Sequence, residues 1–188
     1  MVRLPTITPP EISIQGVVAF PRVVHHDPRG FLVETLRKDD GGVSGATFAM
    51  TYTSLTLPGE KRDVDRWHVH RLQEDRFVVL SGEMILALYD GRREVPTFGT
   101  LHAIRMVGAS DGTGTEPRRK QDGLTHMVTI PAGVYHCIGN LSDRPFILQN
   151  FPTQLYNAED EGRVPFSEVP MKDLAGAPFA WDAVEVRR

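Results

Sequence analysis

The chain has 188 residues, 40% hydrophobic and 24% charged, which fits one soluble globular domain with a sizeable core. A net charge of -3 argues against nucleic acid or an anionic membrane as partner, so a bound anion would need a local arginine cluster. The single cysteine, Cys137, excludes an intrachain disulfide and suits a reducing cytoplasm.

The chain opens with "MVRLPTITPPEISIQG", which lacks the apolar stretch of a leader, and no later run approaches a membrane span. A cytoplasmic protein is expected. Strand signals then follow one another: "ISIQGVVAF", "GFLVETL", "TFAMTYTSLTL", "RWHVHR", "RFVVLSG", "EMILALYD", "LHAIRMV", "HMVTIPAG" and "PFILQNF". Each is short, rich in Val, Ile, Leu, Thr or Phe, and bounded by Gly, Pro, Asp or Asn. No segment of the first 150 residues keeps a helical period over three turns. The pattern predicts an all-β sandwich or barrel. "VGASDGTGTEPRRKQDG" (107–123) reads as one long polar loop, and its basic "EPRRKQDG" as a solvated face. After Pro152, "NAEDEGRVPF" and "SEVPMKDLAG" read as short helical turns packed outside the barrel. Trp67 and Trp181, Phe146 and Phe151 read as packing residues, and Cys137 as a buried structural thiol.

Two stretches carry chemistry. In "RWHVHR", strand alternation puts His68 and His70 on one face, about 7 Å apart. "IPAGVYHCIGN" (130–140) reads P-x-G-x-x-H-x-x-x-N and supplies His136. An acidic residue, Glu74 or Asp75, and Gly82 follow the H-x-H pair. His25, His26, His102 and His126 have no motif around them. The two motifs resemble those of the cupin superfamily, all-β double-stranded β-helix (jelly-roll) barrels. That resemblance implies one cupin domain over 1–188, with a barrel at roughly 12–152 and a C-terminal excursion over 153–188. In metal-binding cupins such residues share one ion. Here the set would be His68, His70, Asp75 (or Glu74) and His136, donors that suit Fe, Mn, Ni or Zn. A one-residue offset changes the face of a strand, so Glu74 and Asp75 both stay open.

A wider resemblance runs through the chain. "HDPRGFLVETL", "SGEMILALYDGRREVPTFGT", "IPAGVYH", "QLYNAEDEGRVPF" and "MKDLAGAP" are similar, in this order, to blocks of the dTDP-4-dehydrorhamnose 3,5-epimerases. These are cupins, normally homodimers, that work without a metal on a nucleotide-linked 4-keto-6-deoxy sugar. The resemblance implies no cofactor, a dTDP-sugar partner and a homodimer. It casts His68 as the base, Asp173 as the carboxylate that orients it, and His136 as a pocket residue beside the developing enolate. Arg29, with Phe31 and Glu34 near it, would hold the nucleotide end, since a guanidinium pairs bidentately with phosphate.

Three positions depart from the family. Its arginine before the histidine is shifted to Arg66, its enolate-stabilising lysine falls on Asp75, and its acid tyrosine falls on Gln149. A carboxylate opposes developing negative charge, and an amide is no acid. Tyr135 and Tyr156 are alternative acids with nothing in the sequence to choose between them. "RWHVHR" is also similar to the H-x-H motif of sugar 3,4-ketoisomerases, in which two histidines share proton shuttling. The leading expectation is an epimerase-like isomerase. Its rivals are a metal-dependent cupin enzyme, a ketoisomerase, and a non-catalytic sugar-nucleotide-binding protein.

Overall fold

The short alternating segments pair into two facing sheets. The computed structural model describes residues 2–40, 48–109 and 125–187. The seven-stranded sheet runs, in spatial order, β13 (Glu161–Pro165), β6 (Arg66–His70), β11 (Val134–Gly139), β8 (Glu83–Asp90), β9 (Leu101–Val107), β1 (Leu4–Ile7) and β14 (Val184–Glu185). The five-stranded sheet runs β2 (Val18–Pro21), β10 (His126–Ile130), β7 (Asp75–Ser81), β12 (Phe146–Asn150) and β5 (Tyr52–Thr56). A hairpin of β3 (Val24–Asp27) and β4 (Gly30–Val33) stands apart from both. Pairing is antiparallel except where β1 joins β9 and β14. This is the all-β architecture the strand pattern predicts, in the jelly-roll form that the cupin resemblance implies. Among the described residues no helix is long and apolar enough to cross a membrane.

Period-two alternation sorts each strand's side chains. Met84, Leu86 and Leu88 of β8, Phe77 and Val79 of β7, and Phe146 and Leu148 of β12 pack between the sheets. The intervening residues of the large sheet, Trp67, Ile85, Ala87 and Cys137, face outward and are covered by the C-terminal tail. Trp67 is fully buried, with Phe166 and Phe179 each 5.0 Å away between ring centroids. Trp181 closes the same layer and donates from its indole to the Asp63 carbonyl. Burial drives the Cys137 thiol well above its usual pKa, which leaves it inert.

Two blocks of the sequence prove to be turn chemistry. The Asp90 carboxylate accepts from the Arg92 backbone and guanidinium and from Thr97, which locks the loop of "DGRREVPTFG". Gly82 turns β7 into β8 at φ +77, and a Cβ there would lie 2.3 Å from the Pro145 carbonyl.

The ends of the chain differ from expectation. Residues 4–7, 161–165 and 184–185 join the large sheet, so it extends beyond 12–152 on both sides. "EGRVP" is an edge strand rather than a helical turn, because β6 has an unpaired side that it completes. Phe166–Glu168 and Lys172–Leu174 are short 3-10 turns on the exterior. Most of the polar loop, including "EPRRKQDG", lies outside the described residues.

Candidate active site

The cavity opens between the sheets at one end and has a volume of about 320 Å³. The large sheet contributes His68 from β6, His136 and Ile138 from β11, and Arg163 from β13. The small sheet contributes Tyr52 and Ser54 from β5, Asp75 and Phe77 from β7, and Leu148 from β12. Arg62 and Asp63 complete the wall. Phe77, Ile138 and Leu148 give it an apolar side, while the polar groups sit around the histidines.

His68 and His136 are direct cross-strand partners, which brings their rings to 5.0 Å. His70 follows His68 on the same face at 4.6 Å, as alternation requires. The P-x-G turn is tied to this strand, since the Gly133 N–H donates to the His70 carbonyl. Asp75, the first residue of β7, reaches across from the other sheet. One of its oxygens stands 3.4 Å from His136 Nε2 and 3.5 Å from His70 Nε2. The choice between Glu74 and Asp75 is thereby made: Asp75 is 3% exposed among the histidines, whereas Glu74 is only half-buried and its N–H donates to the Thr153 hydroxyl. Arg76 points to the opposite face and donates to the Phe151 carbonyl.

His70 is held from behind. Its Nδ1 lies 3.3 Å from Asp160, whose carboxylate also accepts the N–H groups of Arg71, Leu72 and Gln73. The Gln73 amide donates to Asp75 and lies 3.0 Å from His70 Nε2. The carboxylate facing His68 is Glu161 of β13, 3.5 Å from its Nε2. Arg163 donates to Glu161 and to Asp63. Burial, with His136 and His70 close by, depresses the His68 pKa to about 2. Burial also lowers that of His136, against the pull of Asp75. Both imidazoles are therefore neutral at physiological pH.

Several sequence expectations are corrected here. Asp173 accepts from the Leu101 N–H at the start of β9. Two strands, β11 and β8, separate β9 from β6, so at about 4.8 Å per strand Asp173 stands far from His68. Gln149 faces away, because β12 turns Phe146, Leu148 and Asn150 inward. Arg29, Phe31 and Glu34 ride the separate hairpin and do not line the cavity of their own chain. Arg29 is 88% exposed in its side chain and pairs with Asp27, and Glu34 pairs with Arg37. Arg66 pairs with Asp65 on the outer rim, beside Arg62 and Arg163. The sequence reading missed Asp160, Glu161, Arg163, Tyr52 and Asn150. Only the alternation of Glu161 and Arg163 within a charged stretch could have signalled an edge strand there.

The donor set also fits a divalent metal. One nitrogen from each of His68, His70 and His136 lies within 4.8 Å of the others, and His68 Nε2 is buried without a hydrogen-bond partner.

A jelly roll with a histidine and carboxylate pocket between its sheets is of the cupin class. No protein-family model matches the chain. It is 33% identical over 146 residues to the probable low-salt glycan biosynthesis epimerase Agl13 of Haloferax volcanii, covering 76% of this chain and 82% of that protein. It resembles a dTDP sugar isomerase from Desulfovibrio desulfuricans G20 with a TM-score of 0.70 and 22% identity, over 91% of this chain and 94% of that one. It also resembles the 3,5-epimerase RmlC of Legionella pneumophila Philadelphia 1, solved with dTDP-4-keto-L-rhamnose, with a TM-score of 0.67 and 21% identity over 94% and 85%. The chain belongs to the dTDP-4-dehydrorhamnose 3,5-epimerase family, and it is an enzyme of the isomerase class.

Proposed function

We propose that this enzyme epimerises a nucleotide-linked, dTDP-type 4-keto-6-deoxy sugar by removing the proton beside the ketone, with His68 as the base. The observation that carries this reading is a neutral His68 lining a cavity that Arg62 and Arg163 flank at its mouth. The sugar-nucleotide bound to the Legionella relative supports the substrate class. Arginines suit a diphosphate, which accepts bidentate hydrogen bonds. A histidine this hard to protonate works as a base only if the imidazolium is stabilised as it forms. Glu161, 3.5 Å away, takes the part expected of Asp173. His136 sits beside the developing enolate, and His70 with Asp160 fixes the strand behind it.

Arg29, Phe31 and Glu34 contact substrate in this reading only if a second copy brings its hairpin to the cavity, as a homodimer would. No cofactor is required. The test is to supply dTDP-4-keto-6-deoxyglucose and follow epimer formation by proton NMR. Appearance of a C3 or C5 epimer is expected, and unchanged substrate overturns the reading.

One observation favours a second reading. Two ligands held about 2.1 Å from an ion at tetrahedral angles stand about 3.4 Å apart. Asp75 lies at 3.4 and 3.5 Å from His136 and His70. His68, His70, Asp75 and His136 would then hold Fe, Mn, Ni or Zn, which would supply Lewis-acid polarisation of the ketone. Near-stoichiometric metal in protein purified without chelator supports this reading, and a metal content near zero in protein that turns over substrate removes it.

A further inference from the structure

Inversion at carbon needs a proton donor on the face opposite the base. The position at which the family resemblance would place that donor holds Gln149, an amide that is no acid and faces out of the site, and the next residue, Asn150, faces in. Asn150 lies directly across from Tyr52 on the neighbouring strand β5. Three hydrogen bonds fix the Asn150 amide. Its oxygen accepts from the Arg76 N–H at 2.9 Å, so its nitrogen must be the donor elsewhere. That nitrogen donates to Asp75 at 2.7 Å and to the Tyr52 hydroxyl at 3.0 Å. The hydroxyl oxygen is thus an acceptor in this contact, which leaves its own proton available for donation from a residue that lines the cavity.

We propose that Tyr52 is the general acid of this enzyme, delivering a proton to the sugar face opposite His68. The inference rests on the proton-abstraction reading above. His68 comes from the large sheet and Tyr52 from the small one, so a sugar ring between the sheets presents one face to each. Of the four tyrosines, Tyr52 alone lines the cavity. Tyr135 and Tyr89 stack on the outer face of the large sheet, and Tyr156 is 73% exposed. Tyr52 is 45% exposed as a residue, while desolvation around its hydroxyl, reinforced by Asp75, raises its pKa and keeps the phenol protonated.

The steps balance. A His68 nitrogen takes the proton from the carbon beside the ketone, the C–H pair becomes the C=C bond, and the carbonyl pair moves to oxygen. On collapse the oxygen pair restores the carbonyl, and the C=C pair takes the Tyr52 proton from the other face. Tyrosinate and imidazolium remain, and solvent water returns the proton from one to the other.

The test compares wild type with Tyr52→Phe on dTDP-4-keto-6-deoxyglucose in deuterated water, with dTDP affinity as the control for a folded pocket. The wild type is expected to exchange and to epimerise. Tyr52→Phe is expected to keep dTDP affinity and exchange into recovered substrate within a few-fold, while epimer formation falls by about 100-fold or more. Epimerisation by Tyr52→Phe at the wild-type rate overturns the assignment. So does parallel loss of exchange and epimerisation with dTDP affinity intact. Absence of exchange in the wild type overturns the reaction itself, and this assignment with it.

Discussion

At the scale of single residues, burial holds His68 neutral far below the usual imidazole range. Above pH 6.5 it is neutral in both folded and unfolded chains. Below that, the unfolded chain takes up a proton that the pocket refuses until about pH 2. Stability therefore falls as pH drops through this window, by about 1.4 kcal/mol per pH unit from His68 alone. Urea melts of metal-free protein between pH 6.5 and 4.5 check this, and His68→Gln is expected to flatten the slope by that amount. Glu161 touches the same imidazole, yet Arg163 also holds it on the edge strand. Glu161→Gln keeps the shape and loses the charge that steadies the imidazolium. We expect kcat to fall by about 10-fold or more with KM nearly unchanged, measured by steady-state kinetics.

At the scale of strands, alternation explains both what the sequence disclosed and what it hid. His68 and His70 share a face because they are two apart on β6, and His136 meets them because β11 pairs with β6. Those relations follow from period and motif alone. Asp75 could not be told from Glu74, since one residue of register reverses a strand. Gln149 failed because the match counts residues from His136 across the turn between β11 and β12, and a turn does not carry parity, whereas within β12 alternation is regular and turns Phe146, Leu148 and Asn150 inward. Asp173 failed because a motif has no strand order in it, and β9 lies two strands further from β6 than a dyad allows. Glu161 and Arg163 were hidden by the polarity of an edge strand, which need not look apolar on either face. The outward face of β6 is as constrained as the inward one. Trp67 anchors the tail that carries Trp181 to the Asp63 wall. Trp67→Ala should cost about 3–5 kcal/mol in urea unfolding, as large-to-small changes in cores do.

At the scale of the whole molecule, two sheets hold the proposed acid and base apart. The seven-stranded sheet brings His68 and His136, the five-stranded sheet brings Tyr52 and Asp75, and the apolar core between them keeps the spacing. The β3–β4 hairpin leaves Phe31 at 42% and Leu32 at 61% exposure, surface that a second copy would cover. A homodimer by sedimentation is expected, and a monomer at working concentrations would leave Arg29, Phe31 and Glu34 without a substrate to touch. The epimerase reading stands or falls on proton removal by His68. Its most direct measurement is deuterium uptake at the carbon beside the ketone of dTDP-4-keto-6-deoxyglucose in deuterated water, wild type against His68→Asn. Rapid uptake by the wild type and a loss of about 100-fold or more in the variant are expected. Uptake that His68→Asn leaves unchanged, or none by the wild type, would contradict it.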